Sequence, residues 1–435
     1  MPGLKELNVA GWTWLVALLI IQLCVPIGLR SKAGTGLIHV LPSDFIYVYG
    51  IGSIAKNYPL TSLYNYALQL KKFNEISPFP SHESNYGPCP YPPFVALFFS
   101  LFARFPVVPA FFLWASVSVA LYVAGIAAIV RCVFSQERMI ASLVFSFALS
   151  FCPFLHNTLI NGQISTIAVF SVGVAIFEEK NSRLFSSGLA MSILAYKPSL
   201  LFLLIPMLLL TGRFRALCGF ITGSAILVSV ATAFAGIQIW PAYAQFLRFF
   251  GRFVGFKNQS AHALEEYIDL KSFIQASSGG WSTFRLVLFI SVSILIAIML
   301  AVTIWKSAKG GRAAQNLAWA TTLTWTLVLN VYVPVYDSIL FVIAAVLTLG
   351  TLKDLEWNDA LGWMTSLAVL IGLASWELEA IAQSKGIQFL PILLAIFGLG
   401  QVYLLDRVIG KKVPRKVSPL TPAERLSTCS STPLL

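Results

Sequence analysis

Apolar residues in this chain fall in long runs separated by short polar connectors. Runs close to spanning length cover residues 10–29, 107–130, 139–155, 163–178, 184–197, 198–211, 216–236, 284–305, 313–331, 335–350, 360–376 and 388–406. A helix needs about 20 apolar residues to cross a hydrocarbon core of about 30 Å. The pattern predicts an all-α polytopic membrane protein with about 12 transmembrane helices. Several runs are short, so some helices are expected to end inside the membrane or beside a cavity. The first run follows Lys5 and precedes no small-residue cleavage site, which predicts a retained helix and not a signal peptide.

The run at 94–105 is only a dozen residues, and charge decides how to read it. Suppose it does not cross and the N-terminus is cytoplasmic. The cytoplasmic connectors then hold Arg131, Arg138, Lys180, Arg183, Arg213, Arg215, Lys306, Lys309, Arg312 and Lys353, and the short outer connectors hold only Lys385. A crossing there would turn every later basic connector outward, against the positive-inside rule. Segment 94–105 is therefore read as interfacial or re-entrant, with both termini inside. Two large segments, 30–106 and 237–283, then lie outside. Residues 1–410 read as one integral membrane domain. Residues 411–435 are basic, then rich in Pro, Ser and Thr, and read as a disordered cytoplasmic tail.

Composition supports lipid as the solvent. Only 11% of residues are charged, against about 25% in soluble domains. The net charge of +12 sits in connectors between apolar runs, so nucleic acid is not an expected partner. The six cysteines are scattered and suggest no disulfide framework. His39, His82, His156 and His262 lack zinc-ligand spacing, and there is no Walker-type glycine loop or nucleophile elbow. No metal or cofactor is expected.

The polar residues with chemical potential gather on the side assigned as outer. Asp44 is the only acid between Glu6 and Glu75, and it opens an aromatic stretch. It fits a helix cap in Pro42-Ser43-Asp44 first, and also a base of raised pKa at a dry boundary. Tyr91 precedes two prolines at a helix start, where architecture alone explains the prolines. Asn161-Gly162-Gln163, with His156 and Asn157 just before, suits a polar pocket or a turn. Lys197-Pro198 interrupts an apolar stretch from 184 to 210. The lysine suits a phosphate site or a snorkelling side chain. Asn258-Gln259-Ser260 matches a glycosylation acceptor, a weak pattern. Tyr336-Asp337 places an acid at a helix start, where the helix dipole also favours it.

Taken in order, Asp44, Leu63-Tyr64, Tyr91-Pro92-Pro93, Asn161-Gly162-Gln163, Lys197-Pro198 and Asn258-Gln259-Ser260 resemble the landmarks of glycosyltransferase family 87 in the GT-C superfamily. The resemblance implies a GT-C-type bundle with juxtamembrane helices in the first outer loop. It implies an inverting enzyme of a bacterial cytoplasmic membrane, active on the outer side. Such an enzyme moves mannose or a pentose from a polyprenyl-phosphate donor to a lipid or glycan acceptor. Asp44 would be the base, and Tyr64, Tyr91, Asn161, Gln163, Lys197, Asn258, Gln259, Ser260, Tyr336 and Asp337 would bind substrate. Mycobacterial-type members carry histidines near the start of a late helix, where this chain has Val333-Pro334-Val335-Tyr336-Asp337-Ser338. A transporter or flippase of lipid-linked sugars would share the bundle and Lys197 but string polar residues from side to side. A non-catalytic assembly protein would tolerate loss of Asp44.

Overall fold

A computed structural model describes residues 2–31, 43–77, 86–254, 266–278, 282–385 and 388–410. Among these residues every regular element is helical, and extended pairing is confined to one isolated bridge between Tyr267 and Pro334. The chain begins with α1 (Pro2–Ser31), then α2 (Ser43–Asn57), α3 (Tyr66–Ile76) and α4 (Pro93–Phe102). The bundle continues with α5 (Val107–Val133), α6 (Arg138–Ser150), a π-helical segment Pro153–Ile160 and α7 (Thr166–Lys180). Next come α8 (Leu184–Ser192), α9 (Leu204–Leu210), α10 (Phe214–Ala235), α11 (Ile239–Val254) and α12 (Leu270–Ser278). Last are α13 (Thr283–Ser307), α14 (Arg312–Leu329), α15 (Leu340–Asp354), α16 (Asn358–Lys385) and α17 (Leu390–Gly410).

Seven of the described helices are long and apolar enough to cross a membrane, with an eighth span if α6 and the π segment, bent by 55°, are one crossing. The sequence pattern led to an expectation of about twelve. The difference falls on α7, the α8 and α9 stretches and α14. These are short or carry polar residues, and α7 and α14 are largely buried among other helices. A helix shielded by its neighbours need not be apolar all round or match the full hydrocarbon thickness. By contrast α10 and α13 present large apolar side chains such as Phe234, Phe284 and Leu295 outward, as a lipid-facing surface does.

The expected short helix at 94–105 is α4, ten residues long, which spans only about 15 Å at 1.5 Å per residue. Pro93 starts it, at the position where a missing N–H costs nothing. It lies against α2, where Gly52 comes up to the backbone of Phe99. Together α2, α3 and α4 form a helical cap in the first long loop. The tail 411–435 lies outside the described residues.

Close packing fixes the helices that carry the site. A Cβ added to Gly188 of α8 would sit 1.8 Å from the carbonyl oxygen of Ala216 in α10, so only glycine permits that approach. Two ion pairs close the end of the bundle where the α5–α6, α7–α8, α9–α10 and α15–α16 connectors meet. Glu137 pairs with Lys353. Glu179 holds Arg213 at 2.9 Å and also accepts the indole N–H of Trp319 at 3.1 Å.

Candidate active site

The other end of the bundle holds a cavity of about 530 Å³. Asp44, Tyr91, Asn161, Gln163, Lys197 and Tyr336 line it, six residues drawn from five separate stretches of chain. Tyr64 and Asp337 stand one layer behind the wall, and Asn258, Gln259 and Ser260 lie outside the described residues.

Asp44 sits in the first turn of α2, inside the helix and not at its cap. The turn 161–163 holds it in place. Phe45 N–H donates to the Asn161 carbonyl at 3.0 Å, and the buried Trp114 indole N–H donates to the Gly162 carbonyl at 3.1 Å. Gly162 has φ +77°, and a Cβ there would lie 2.6 Å from Cβ of Phe45. The side chain of Gln163 faces the Asp44 carboxylate and favours its charged form. Burial still dominates: loss of water pushes the Asp44 carboxyl up to about 6, and Gln163 only partly offsets this. Such a carboxyl is a usable base at neutral pH. Gly162→Ala is expected to separate α2 from this turn. The left-handed conformation alone costs about 1–2 kcal/mol with a side chain present. A lower melting temperature with reduced catalytic activity checks it; an unchanged protein rules the clamp out.

Lys197 does not snorkel. Pro198 disfavours helix at the residue before it, so the long apolar stretch breaks at the cavity and Lys197 takes φ −137°, ψ 81°. Its side chain is 7% exposed and its ammonium is paired with Asp337, whose side chain is fully buried. Asp337 also accepts the Ser165 hydroxyl at 2.8 Å. The ammonium lies 4.7 Å from the Tyr336 ring centre and 5.5 Å from that of Tyr332. The pair therefore joins the break after α8, the loop before α7 and the turn before α15.

That last turn is pinned by an aspartate that no motif marks along the chain. Asp269 is buried and accepts Ser272 N–H at 2.8 Å and Val333 N–H at 3.2 Å, so it caps α12 and fixes the Tyr332–Asp337 turn together. Tyr64 acts on Tyr91 from behind: its hydroxyl donates to the Tyr91 carbonyl at 3.0 Å, and its ring packs on Tyr243 and Phe246. Tyr243 donates to the Pro90 carbonyl at 3.3 Å and lines the cavity itself.

Sequence reasoning missed several wall residues. Tyr47, Tyr196, Tyr267 and Tyr332 give the cavity an aromatic, hydroxyl-rich lining. Their dispersion over almost 300 residues left no local signal. Glu379 of α16 also lines it, near Asn157 of the π segment. An acid near the end of an otherwise apolar helix was the available sign. Among the described residues no three of His, Cys, Asp and Glu are grouped to hold a metal ion.

A wall rich in aromatic rings and hydroxyls, with a half-buried carboxyl of raised pKa and one buried cation, suits a polyhydroxylated substrate carrying an anionic group. No curated protein and no solved structure matches this chain. A sequence model of glycosyltransferase family 87 does match, over residues 90–334. The matched stretch contains Tyr91, Asn161, Gln163 and Lys197 and stops short of Asp44 and Glu379, which only the fold adds to the same cavity, and of Asp337, which pairs with Lys197 behind its wall. Because the match spans more than half of the 435 residues, the chain belongs to glycosyltransferase family 87.

Proposed function

We propose that this protein is an inverting glycosyltransferase that moves a sugar, mannose or a pentose, from a polyprenyl-phosphate donor to a lipid or glycan acceptor. The observation that carries the reading is the Asp44 carboxyl, raised to about 6 and steered by Gln163, in a cavity whose wall also holds the Lys197 ammonium. Asp44 takes the proton of an acceptor hydroxyl. The hydroxyl oxygen attacks the anomeric carbon from the face opposite the phosphate. The bond from that carbon to the phosphate oxygen breaks, and polyprenyl phosphate leaves with the electron pair. Lys197 stabilises the charge on the leaving phosphate. One base suffices because phosphate departs without protonation.

Orientation follows from charge. The basic residues Arg131, Arg138, Lys180, Arg183, Arg213 and Lys353 lie in or beside connectors at the end away from the cavity. The positive-inside rule makes that end cytoplasmic, so the cavity opens outward from a bacterial cytoplasmic membrane within a GT-C-type bundle. The ion pairs Glu179–Arg213 and Glu137–Lys353 tie the connectors together at the cytoplasmic end.

The test uses purified protein in nanodiscs with radiolabelled polyprenyl phosphomannose, then the arabinofuranose donor, and membrane-lipid extract as acceptor. Asp44-dependent appearance of labelled product supports the reading. Turnover unchanged in Asp44→Asn, or no turnover of either donor, overturns it.

A further inference from the structure

Besides Asp44, the cavity is lined by the carboxylates of the exposed Glu266 and of the half-buried Glu379 of α16, and the reaction above gives Glu379 no task. Its Oε2 accepts the amide N–H of Asn157 at 2.9 Å and the thiol of Cys152 at 3.1 Å. These two residues bracket the start of the π segment, in a stretch otherwise apolar from Pro153 to Leu155. Single π turns inside helical proteins recur at functional sites. Four residues after Asn157, at the other end of the same segment, the Asn161 carbonyl receives Phe45 N–H and so positions Asp44. One short rigid element therefore sets both carboxylates. His156, beside Asn157, also lines the cavity and is held by Gln22 at 3.3 Å.

Charge assigns the occupant. Lys197 is the one lysine or arginine among the described residues that line the cavity. A donor phosphate belongs beside it, and a carboxylate would repel that group. Glu379 must then face a neutral, hydroxyl-bearing part of the substrates. It also stands where the cavity meets a second narrow crevice, lined by Ala382, Leu390 and Pro391, between α16 and the start of α17.

We propose that Glu379, with Asn157 and His156, forms the acceptor subsite, in which the Glu379 carboxylate accepts hydrogen bonds from the hydroxyls of an acceptor sugar. The subsite rests on the transferase reading for its role, but carbohydrate binding at Glu379 can be measured without turnover. Saturation-transfer difference NMR is run on the full-length protein in nanodiscs with methyl α-mannoside, methyl α-glucoside, methyl α-galactoside and methyl α-arabinofuranoside. Wild type, Glu379→Gln and Glu377→Gln are compared. Glutamine keeps an acceptor oxygen for Asn157 but removes the charge, so folding, followed by melting temperature, is retained.

The expected result is a glycoside signal in wild type and Glu377→Gln, and its loss in Glu379→Gln. In the turnover assay Glu379→Gln raises acceptor KM about 10- to 100-fold, the worth of a hydrogen bond to a charged group, with donor KM within about twofold. Equal signals in wild type and Glu379→Gln overturn the subsite, as does a wild type that binds none of the four glycosides. A rise in donor KM with acceptor KM unchanged also overturns it. Glu379-dependent glycoside binding in a protein that turns over no donor keeps the subsite and rejects the transferase reaction.

Discussion

Asp44→Asn is expected to lower the transfer rate by about 10²- to 10⁴-fold, the usual contribution of a positioned general base, and to make the protein more stable at neutral pH. Both effects have one cause. The Asp44 carboxyl is held in a cavity wall where ionisation is disfavoured, with its pKa moved from 3.8 to about 6. In the unfolded chain the group ionises at its ordinary value. Between these two values the folded state binds more protons than the unfolded one, so stability falls as pH rises. Below 3.8 there is no difference. Above about 6 the full cost of keeping the charge is present, at most about 3 kcal/mol. Asparagine does not titrate and escapes that cost.

Melting curves of wild type and Asp44→Asn should therefore coincide near pH 4 and separate by pH 7, with the variant higher. The transfer rate of the wild type should rise as pH passes through about 6, where the base becomes available. A variant less stable than wild type at pH 7 would mean that the carboxylate holds α2 in place instead of serving chemistry. The helix-cap alternative makes that opposite prediction.

Lys197→Met and Asp337→Leu, each alone, are expected to destabilise the protein by about 3–5 kcal/mol, because each leaves a buried charge without its partner. The double variant should recover most of that loss, since two apolar side chains can fill the space of a buried pair. Function separates from stability here. Lys197 lines the cavity and Asp337 does not. The double variant should fold yet bind polyprenyl phosphate weakly, with donor KM raised at least about tenfold, as loss of a charge-assisted contact entails. Normal donor affinity in a well-folded double variant would remove Lys197 from the phosphate site. Its pairing with Asp337 also recasts the comparison with family members that carry histidine near this turn. In this chain the aspartate pairs with the lysine and stands behind the cavity wall.

Much of the fold was legible along the chain. The hydrophobic runs located the helices because lipid forces each spanning segment to satisfy its backbone locally, and that leaves a linear signature. Pro93 marked the start of α4, and Pro198 marked the break at Lys197. The number of crossings was less legible, since α7 and α14 are shielded by other helices and escape the rule that reads length and apolarity.

Of the site, the residue types that stand out can be read along the chain: an isolated acid at Asp44, a lysine in an apolar run, the polar turn at Asn161–Gln163. What they do to each other emerges on folding. The tertiary structure joined Lys197 to Asp337 across 140 residues and Asn157 to Glu379 across 222. It moved Tyr64 behind the wall and brought Asp44 into contact with Gln163. The reason is physical. A side chain's charge state and role follow from the water it loses and the partners it gains. In a helical bundle those partners come from helices remote in sequence, whose meeting leaves no local pattern in the chain.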